Sequence, residues 1–491
     1  MSEPTVASKM KPNDEGVFLR RVRPKRWQNP VPTGIYDLAV LGAGPAGIAA
    51  AEEAARLGAR VALIERKWIG GNSLNAGSVP SKSIIASAGV YAAMHKAERF
   101  GAPMPSETPL DFAKVLERMR RVRTRISEHH SVEKLQASGI EIFFETARFE
   151  ASDALHIGEG LLRFEKAIIA TGARPKEPLE IPGLEEIGYL TSTSIFDLDS
   201  LPKRLAVIGG GPLGCELAQA FCRLGSHATI VQNDAKFLPR EERDAAEILS
   251  RALARDGVEI RLNTTVVGAR SANGAKVLQT VNNGVKNDIE ADRILLSIGR
   301  VPNVEDLGLD KAGIAVGPEH GVEVDDFLRT SNPNVYAAGD VCMDLKFTNA
   351  AQASAGIAVR NALSGGQERQ SLLIIPWCTY CDPEIAHIGL NVWEARRQSI
   401  SIKSFTIMMH DVDRAITDGS DTGFVKIHIA EGTDHILGAT IVACRASELI
   451  NEMSVVMSTG IGMVGLAEVL HTYPAESGAI ALAARAFVRN R

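Results

Sequence analysis

Tyr36-Asp37-Leu38-Ala39-Val40-Leu41-Gly42-Ala43-Gly44-Pro45-Ala46-Gly47 is an apolar run that ends in a glycine turn, and its reading decides the fold. An alanine-rich, helical stretch from Ile48 to Leu57 follows, then Arg60-Val61-Ala62-Leu63-Ile64-Glu65. The order is strand, tight turn, helix, second strand. A bare G-x-G-x-x-G is a weak signal, but in this setting it marks a dinucleotide-binding unit. Its glycines allow the turn and the close approach of a pyrophosphate, whose charge is favoured at the helix N-terminus.

The same design recurs in Arg204-Leu205-Ala206-Val207-Ile208-Gly209-Gly210-Gly211-Pro212-Leu213-Gly214, followed by Cys215 to Leu224 and then His227-Ala228-Thr229-Ile230-Val231-Gln232. The copies differ where an adenosine ribose would lie. Glu65 can accept hydrogen bonds from ribose hydroxyls, which suits FAD. Gln232 and Asn233 stand at the corresponding place in the second copy, with no carboxylate to repel a 2'-phosphate and no adjacent arginine to hold one. That leaves NADH against NADPH open, with Lys236 and Arg240 favouring NADPH weakly.

Ala167-Ile168-Ile169-Ala170-Thr171-Gly172-Ala173-Arg174-Pro175 is a further apolar strand with a glycine turn, echoed by Arg293 to Asn303 around Gly299. Both read as crossings between the two dinucleotide units. Val335-Tyr336-Ala337-Ala338-Gly339-Asp340 is a third such strand, whose aspartate is placed for a ribityl hydroxyl or the phosphate side of FAD. From about Leu372 the pattern changes. Apolar alternation at Phe424 to His428 and Ile436 to Ala443 predicts antiparallel strands, and Ala446 to Ser458 and Gly478 to Val488 read as helices.

A chain of 491 residues is too long for one ordinary core. The formal net charge of -5 gives no general reason to expect nucleic acid or an anionic membrane as partner, and no apolar stretch reaches the length of a membrane span. The first thirty-odd residues are polar, carry the basic run Arg20 to Trp27 and lack the apolar segment of a signal peptide, which reads as a solvated or loosely docked arm. Six cysteines are too few for a disulfide scaffold, so a reducing cytoplasm is the expected compartment.

Together these elements resemble the FAD- and NAD(P)H-dependent disulfide reductases, the class of dihydrolipoamide dehydrogenase, glutathione reductase and mercuric reductase. Gly70-Gly71-Asn72-Ser73-Leu74-Asn75-Ala76-Gly77-Ser78-Val79-Pro80-Ser81-Lys82 resembles that class's redox-disulfide motif, with serine at both cysteine positions. Arg23 to Pro30, Ile375 to Tyr380 and Asp413-Arg414-Ala415 look closest to the mercuric-reductase-like branch. The resemblance implies that Gly42, Gly44 and Gly47 cradle the FAD pyrophosphate, with Glu65 on its ribose and Asp340 on its ribityl or phosphate side. Gly71, Ser73, Ser78, Thr171, Gly172 and Gly299 would line the cofactors. Gly209, Gly211, Gly214 and Gln232 would hold NADH or NADPH. Lys82 would sit near the flavin and pair with Glu216.

The departures from the class form a set. Thiol-disulfide exchange requires a thiolate, which a serine hydroxyl cannot supply. Where the class has H-x-H-P-x-x-x-E, this chain has His471-Thr472-Tyr473-Pro474-Ala475-Glu476-Ser477-Gly478, with tyrosine for the base and glycine for the glutamate. No cysteine follows Cys444, so the C-terminal dithiol of a mercuric reductase is missing. His471 and Tyr473 remain candidates to line the flavin face across a dimer interface and bind a substrate carbonyl. Cys378 and Cys381 form a C-x-x-C on an apparent strand, where residues three apart face opposite ways, so core or interface packing competes with a relocated redox pair. Cys215 and Cys222 share one helical face and read as core; no metal site is expected.

The expected fold is α/β, with two doubly wound dinucleotide-binding domains plus a C-terminal α+β dimerisation domain. Its divisions are an arm (1–35), a first FAD part (36–195), an NAD(P)H domain (196–320), an FAD return segment (321–370) and a dimerisation domain (371–491). The expected function is hydride transfer from NAD(P)H to FAD and on to a small-molecule electron acceptor, in a homodimer. The alternatives are a mercuric or disulfide reductase using Cys378 and Cys381, or a flavoprotein acting as redox sensor or scaffold.

Overall fold

The computed structural model describes residues 12–103, 110–178, 181–318 and 320–490. Its first sheet runs Glu141–Phe143, Val61–Ile64, Ile35–Leu41, Gly160–Ile169, Ala154–Ile157 and Ala147–Ala151, with Val335–Ala337 also pairing to Gly160–Ile169. Strand Ile35–Leu41 lies parallel to Val61–Ile64 on one side and to Gly160–Ile169 on the other. Parallel neighbours need crossovers, and helix Pro45–Arg56 supplies the first. Ala50, Ala51 and Ala54 of that helix are fully buried, small enough to let it lie close on the sheet.

A second, four-stranded sheet repeats the plan in the order Glu259–Arg261, His227–Val231, Arg204–Ile208, Arg293–Leu296, all parallel. Helix Pro212–Arg223 is its first crossover. An antiparallel meander of Thr264–Ala272, Ala275–Asn282 and Val285–Ala291 follows the strand at its edge. The two expected crossings pair directly, Ala173–Pro175 antiparallel to Arg300–Pro302. Only after the second sheet is complete does the chain return, through Val335–Ala337, to the first.

The last sheet is antiparallel, in the order Trp377–Thr379, Glu384–Gly389, Ile436–Ala443, Phe424–Ala430, Ile402–Met408. Helices Ala446–Ser458 and Gly478–Arg489 share a core with it through Ile450, Met453, Ile480 and Phe487. The α/β expectation therefore holds, with α+β structure at the C-terminal end.

The N-terminal arm departs from its expected character. Its first eleven residues lie outside the described ones, but Pro12–Val22 is a helix whose Phe18 and Val22 are fully buried. Phe18 meets Trp68 edge-on, Arg23 donates to the Lys67 carbonyl at 2.8 Å, and Trp27 meets Phe144 edge-on. A basic, polar composition concealed three apolar anchors spaced to fall on one side of a helix and the loop after it. Among the described residues no helix is long and apolar enough to cross a membrane.

Candidate active site

The two glycine turns are built alike. Gly42 has φ +103° and Gly209 φ +102°, a region that favours glycine, and a Cβ on either would strike the backbone at the end of a neighbouring strand, Ala170 or Ser297. The helices that follow open at Gly44 and Gly211 with proline in the first turn, and no side chain caps either one. Their first N–H groups are thus left for a ligand. A Cβ at Gly211 would meet nothing within 4 Å, and one at Gly44 only the Gly71 Cα at 3.8 Å, so both turns keep the space a pyrophosphate needs. These cradles fit two dinucleotides.

The side chains that end the second strands are also equivalent. Ala43 N–H donates to Glu65 Oε2 at 2.8 Å, and Gly210 N–H donates to Gln232 Oε1 at 2.8 Å. Glu65 accepts a second backbone N–H, from Lys67, through Oε1 at 2.6 Å. Burial pushes its carboxyl upward, opposed by these two donors. Around the first cradle, Thr171 Oγ1 donates to the Asn303 carbonyl at 2.7 Å, and Asn303 N–H donates to the Gly172 carbonyl at 2.9 Å. Asp340 lies 3.5 Å from Arg300 Nε, and burial raises its pKa against that cation. Gly299, next to Arg300 in the chain, turns at φ +109°.

Lys82 and Glu216 come together. Lys82 Nζ donates to Glu216 Oε2 at 2.7 Å and stands 4.3 Å over the Tyr380 ring. Glu216 is 3% exposed, and its other oxygen accepts from Tyr380 N–H at 3.0 Å. The lysine follows the serine motif and the glutamate lies on the helix of the second cradle, so this pair ties one nucleotide unit to the other. The serine motif forms a short helix, Gly71–Asn75, before helix Ser78–His95. Ser73 Oγ lies 2.7 Å from Thr348 Oγ1, while Ser78 is exposed at the start of its helix.

Residues 36–355 match the pyridine nucleotide-disulphide oxidoreductase family, and 375–484 match its dimerisation domain. The chain belongs to that family. It is 31% identical over 452 residues to the mercuric reductase of Bacillus cereus, covering 92% of this chain and 71% of that one. Among solved structures it resembles LpdA of Mycobacterium tuberculosis, with a TM-score of 0.84 and 28% identity over 92% of this chain and 99% of that one. It also resembles the HOCl-induced flavoprotein disulfide reductase RclA of Escherichia coli, with a TM-score of 0.80 and 28% identity over 91% and 98%. The family consists of FAD-dependent NAD(P)H oxidoreductases, and this chain is an enzyme of that type. Its dimerisation domain supports a homodimer.

Within the family's dimerisation domain, His471 and Tyr473 are engaged inside their own chain. His471 Nε2 lies 2.7 Å from Glu452 Oε1, and Nδ1 lies 3.1 Å from the Val469 carbonyl. Both neighbours are acceptors, so an N–H on either ring nitrogen is taken up within the chain. Tyr473 donates to Asp413 Oδ2 at 2.8 Å although its side chain is 82% exposed. In this geometry neither residue has a free donor for a substrate carbonyl. Glu476, out of register with the family's glutamate, accepts from Ser420 Oγ at 3.2 Å.

Cys378 and Cys381 pack against different cores, the former with the C-terminal sheet and the latter with the second nucleotide unit. Burial drives both thiols well above the ordinary range, the opposite of what a reactive cysteine needs. Cys215 is fully buried in the same core that Cys222 packs against, as its helical face predicts.

Several site-side residues escaped the sequence reading. Thr348, Arg300 and Glu452 reach their partners only through the tertiary fold. So does Glu241, 4% exposed, which accepts the Trp377 indole N–H at 3.1 Å and whose carboxyl burial pushes up to about 7. In the sequence it stands in the charged run Arg240-Glu241-Glu242-Arg243, which carries no sign of burial.

Proposed function

We propose that the enzyme passes electrons from NAD(P)H, by way of FAD, to a diffusible small molecule that is not a disulfide: a quinone, another oxidant or a second nicotinamide nucleotide. The observation that carries this reading is the serine at both Ser73 and Ser78 in a frame that is nearly intact. Neither hydroxyl can form the thiolate that opens a disulfide. FAD, when bound, supplies the exchange between hydride donor and acceptor.

The chain's own residues then have defined tasks. Gly42, Gly44, Gly47 and Glu65 would hold the FAD pyrophosphate and ribose, with Gly71, Thr171, Gly172, Gly299 and Asp340 completing its surroundings. Gly209, Gly211, Gly214 and Gln232 would hold the nicotinamide nucleotide. Lys82, fixed by Glu216, presents a preorganised cation that favours developing negative charge beside it. The divisions at residues 36–195 with 321–370 for FAD, 196–320 for NAD(P)H and 371–491 for association follow from the same assignment. The separate packing and raised thiols of Cys378 and Cys381 speak against a relocated dithiol.

The names of the relatives make mercuric ion and disulfides necessary arms of the test. Stopped-flow mixing of the purified flavoprotein with NADH or NADPH should bleach the flavin absorbance, and a quinone should restore it with turnover. Turnover of a disulfide or mercuric ion in preference to quinones and other oxidants overturns the assignment. A flavin that neither nucleotide bleaches leaves a nucleotide-binding sensor or scaffold.

A further inference from the structure

The N-terminal arm docks on one particular loop, residues 66–69, which joins the strand before Glu65 to the serine motif. Arg23 Nη1 donates to the carbonyls of Arg66 at 2.5 Å and Lys67 at 2.8 Å, and the Val22 carbonyl accepts from Ile69 N–H at 3.0 Å. Trp68, between them, meets Phe18 edge-on. The arm thus holds every residue of this loop. From the other side the loop is held by the first cradle, since Glu65 Oε1 takes Lys67 N–H at 2.6 Å and the Ala43 carbonyl takes Gly70 N–H at 2.8 Å.

A second route leads from the arm to the same carboxylate. Asn29 pairs both ways with the Phe144 backbone, Oδ1 accepting its N–H at 2.8 Å and Nδ2 donating to its carbonyl at 3.3 Å. One residue earlier, the Phe143 carbonyl accepts Glu65 N–H at 2.9 Å. The Arg23 guanidinium stands 5.3 Å over the Phe144 ring, which Trp27 meets edge-on. Loop and cradle also pack closely, for a Cβ on Gly71 would lie 2.6 Å from the Gly44 Cα. Burial pushes the Glu65 carboxyl up, and the backbone donors with the Arg66 and Arg23 cations oppose it. All these arm residues precede the 36–355 segment that matches the family.

We propose that Arg23 is a positioning residue for FAD, and that the arm acts through it as a clamp on the adenosine half of the cofactor's cradle. The proposal rests on the assignment of Gly42, Gly44, Gly47 and Glu65 to FAD, and adds residues that act through Glu65 and the loop after it. Such a clamp raises affinity by holding the binding groups in place before the ligand arrives.

The readout is the dissociation constant of FAD, from the fluorescence change when the full-length apoprotein is titrated with the cofactor. Arg23→Met keeps the reach of the side chain and removes both carbonyl contacts, and should raise the constant about ten-fold, the worth of one charge-assisted hydrogen bond. Asn29→Ala, at an exposed residue, should raise it about three-fold. Ile480→Val thins the C-terminal core away from the clamp and should leave it within about two-fold. With FAD saturating, Arg23→Met should keep the parent's visible spectrum and its rate of bleaching by NADH or NADPH, because Lys82 and the second cradle are untouched. Parental FAD affinity in both arm variants overturns the proposal, as does a rise of the same size in Ile480→Val. A changed spectrum at saturation places the effect at the flavin and overturns the clamp on the adenosine half. Gly47→Val that binds FAD with parental affinity sinks the assignment of the cradle itself instead.

Discussion

The two glycine cradles are the same object built twice. In each, the backbone N–H of the residue between the first two glycines donates to a side chain 22 positions later, across 2.8 Å. In the first the acceptor is the Glu65 carboxylate and in the second it is the Gln232 amide. A backbone arrangement can therefore be copied without its chemical preference. The turn fixes where a pyrophosphate goes, and the one side chain fixes what charge is tolerated beside the ribose. An amide spends its oxygen on Gly210 and still has two N–H donors to offer, whereas Glu65 has only further lone pairs.

The comparison breaks most visibly at the third glycine of each turn. A side chain on Gly47 would collide with the Gly42 carbonyl, and one on Gly214 with the Gly209 carbonyl. Gly47→Val should therefore yield protein without bound flavin, seen as loss of its visible absorbance. Gly214→Val should keep the flavin and lose bleaching by either nucleotide. Flavin loss from both variants would show that the cradles are not independent.

The Lys82–Glu216 pair joins the two copies, and breaking it is the next largest effect. Lys82→Met strands a carboxylate that is 3% exposed, at a cost of about 3 kcal/mol. A denaturant titration should show that loss, and the rate of flavin bleaching should fall with it. Unchanged stability would mean that Glu216 finds another partner.

Glu241 marks a difference between the copies, since the loop after Gln232 is anchored to the C-terminal sheet through it. Burial pushes its carboxyl from 4.5 up to about 7. With the folded-state pKa raised, the folded protein keeps a proton that the unfolded chain releases, so this stability is complete below the unfolded value and is lost as pH climbs through about 7. Glu241→Gln removes the dependence and keeps an acceptor for Trp377. Relative to the parent it should gain up to about 3 kcal/mol between about pH 5 and about pH 8, read from urea midpoints. A constant difference across that range would show the carboxyl to be ionised throughout.

The smallest expected change sharpens the comparison most. Gln232→Glu makes the second copy like the first and should lower kcat/KM for NADPH relative to NADH by about ten-fold, near 1.4 kcal/mol. An unaltered ratio would place nucleotide choice elsewhere, with Lys236 and Arg240 the next residues to change.

The cradles were legible in sequence because every requirement, from glycine turn to helix to second strand, lies within thirty consecutive residues. Lys82 and Glu216 could be paired only through the family resemblance, as 134 positions separate them. Thr348 and Trp377 gave no signal: each is an ordinary residue whose partner, Ser73 or Glu241, lies far away in the chain. His471 was noticed for the glutamate missing at Gly478, while its actual partner, Glu452, sits unannounced on a different helix. The arm was misjudged for a related reason. Composition averages over Phe18, Val22 and Trp27, and packing does not.

The return strand has a consequence for the order of assembly. Val335–Ala337 pairs with Gly160–Ile169, and all four strands of the second sheet lie between them in the chain. A ribosome making this protein therefore releases everything the nucleotide sheet needs before the strand that completes the first sheet has been synthesised. The unit whose motif comes first in the gene is the one that must wait, held open while its copy closes.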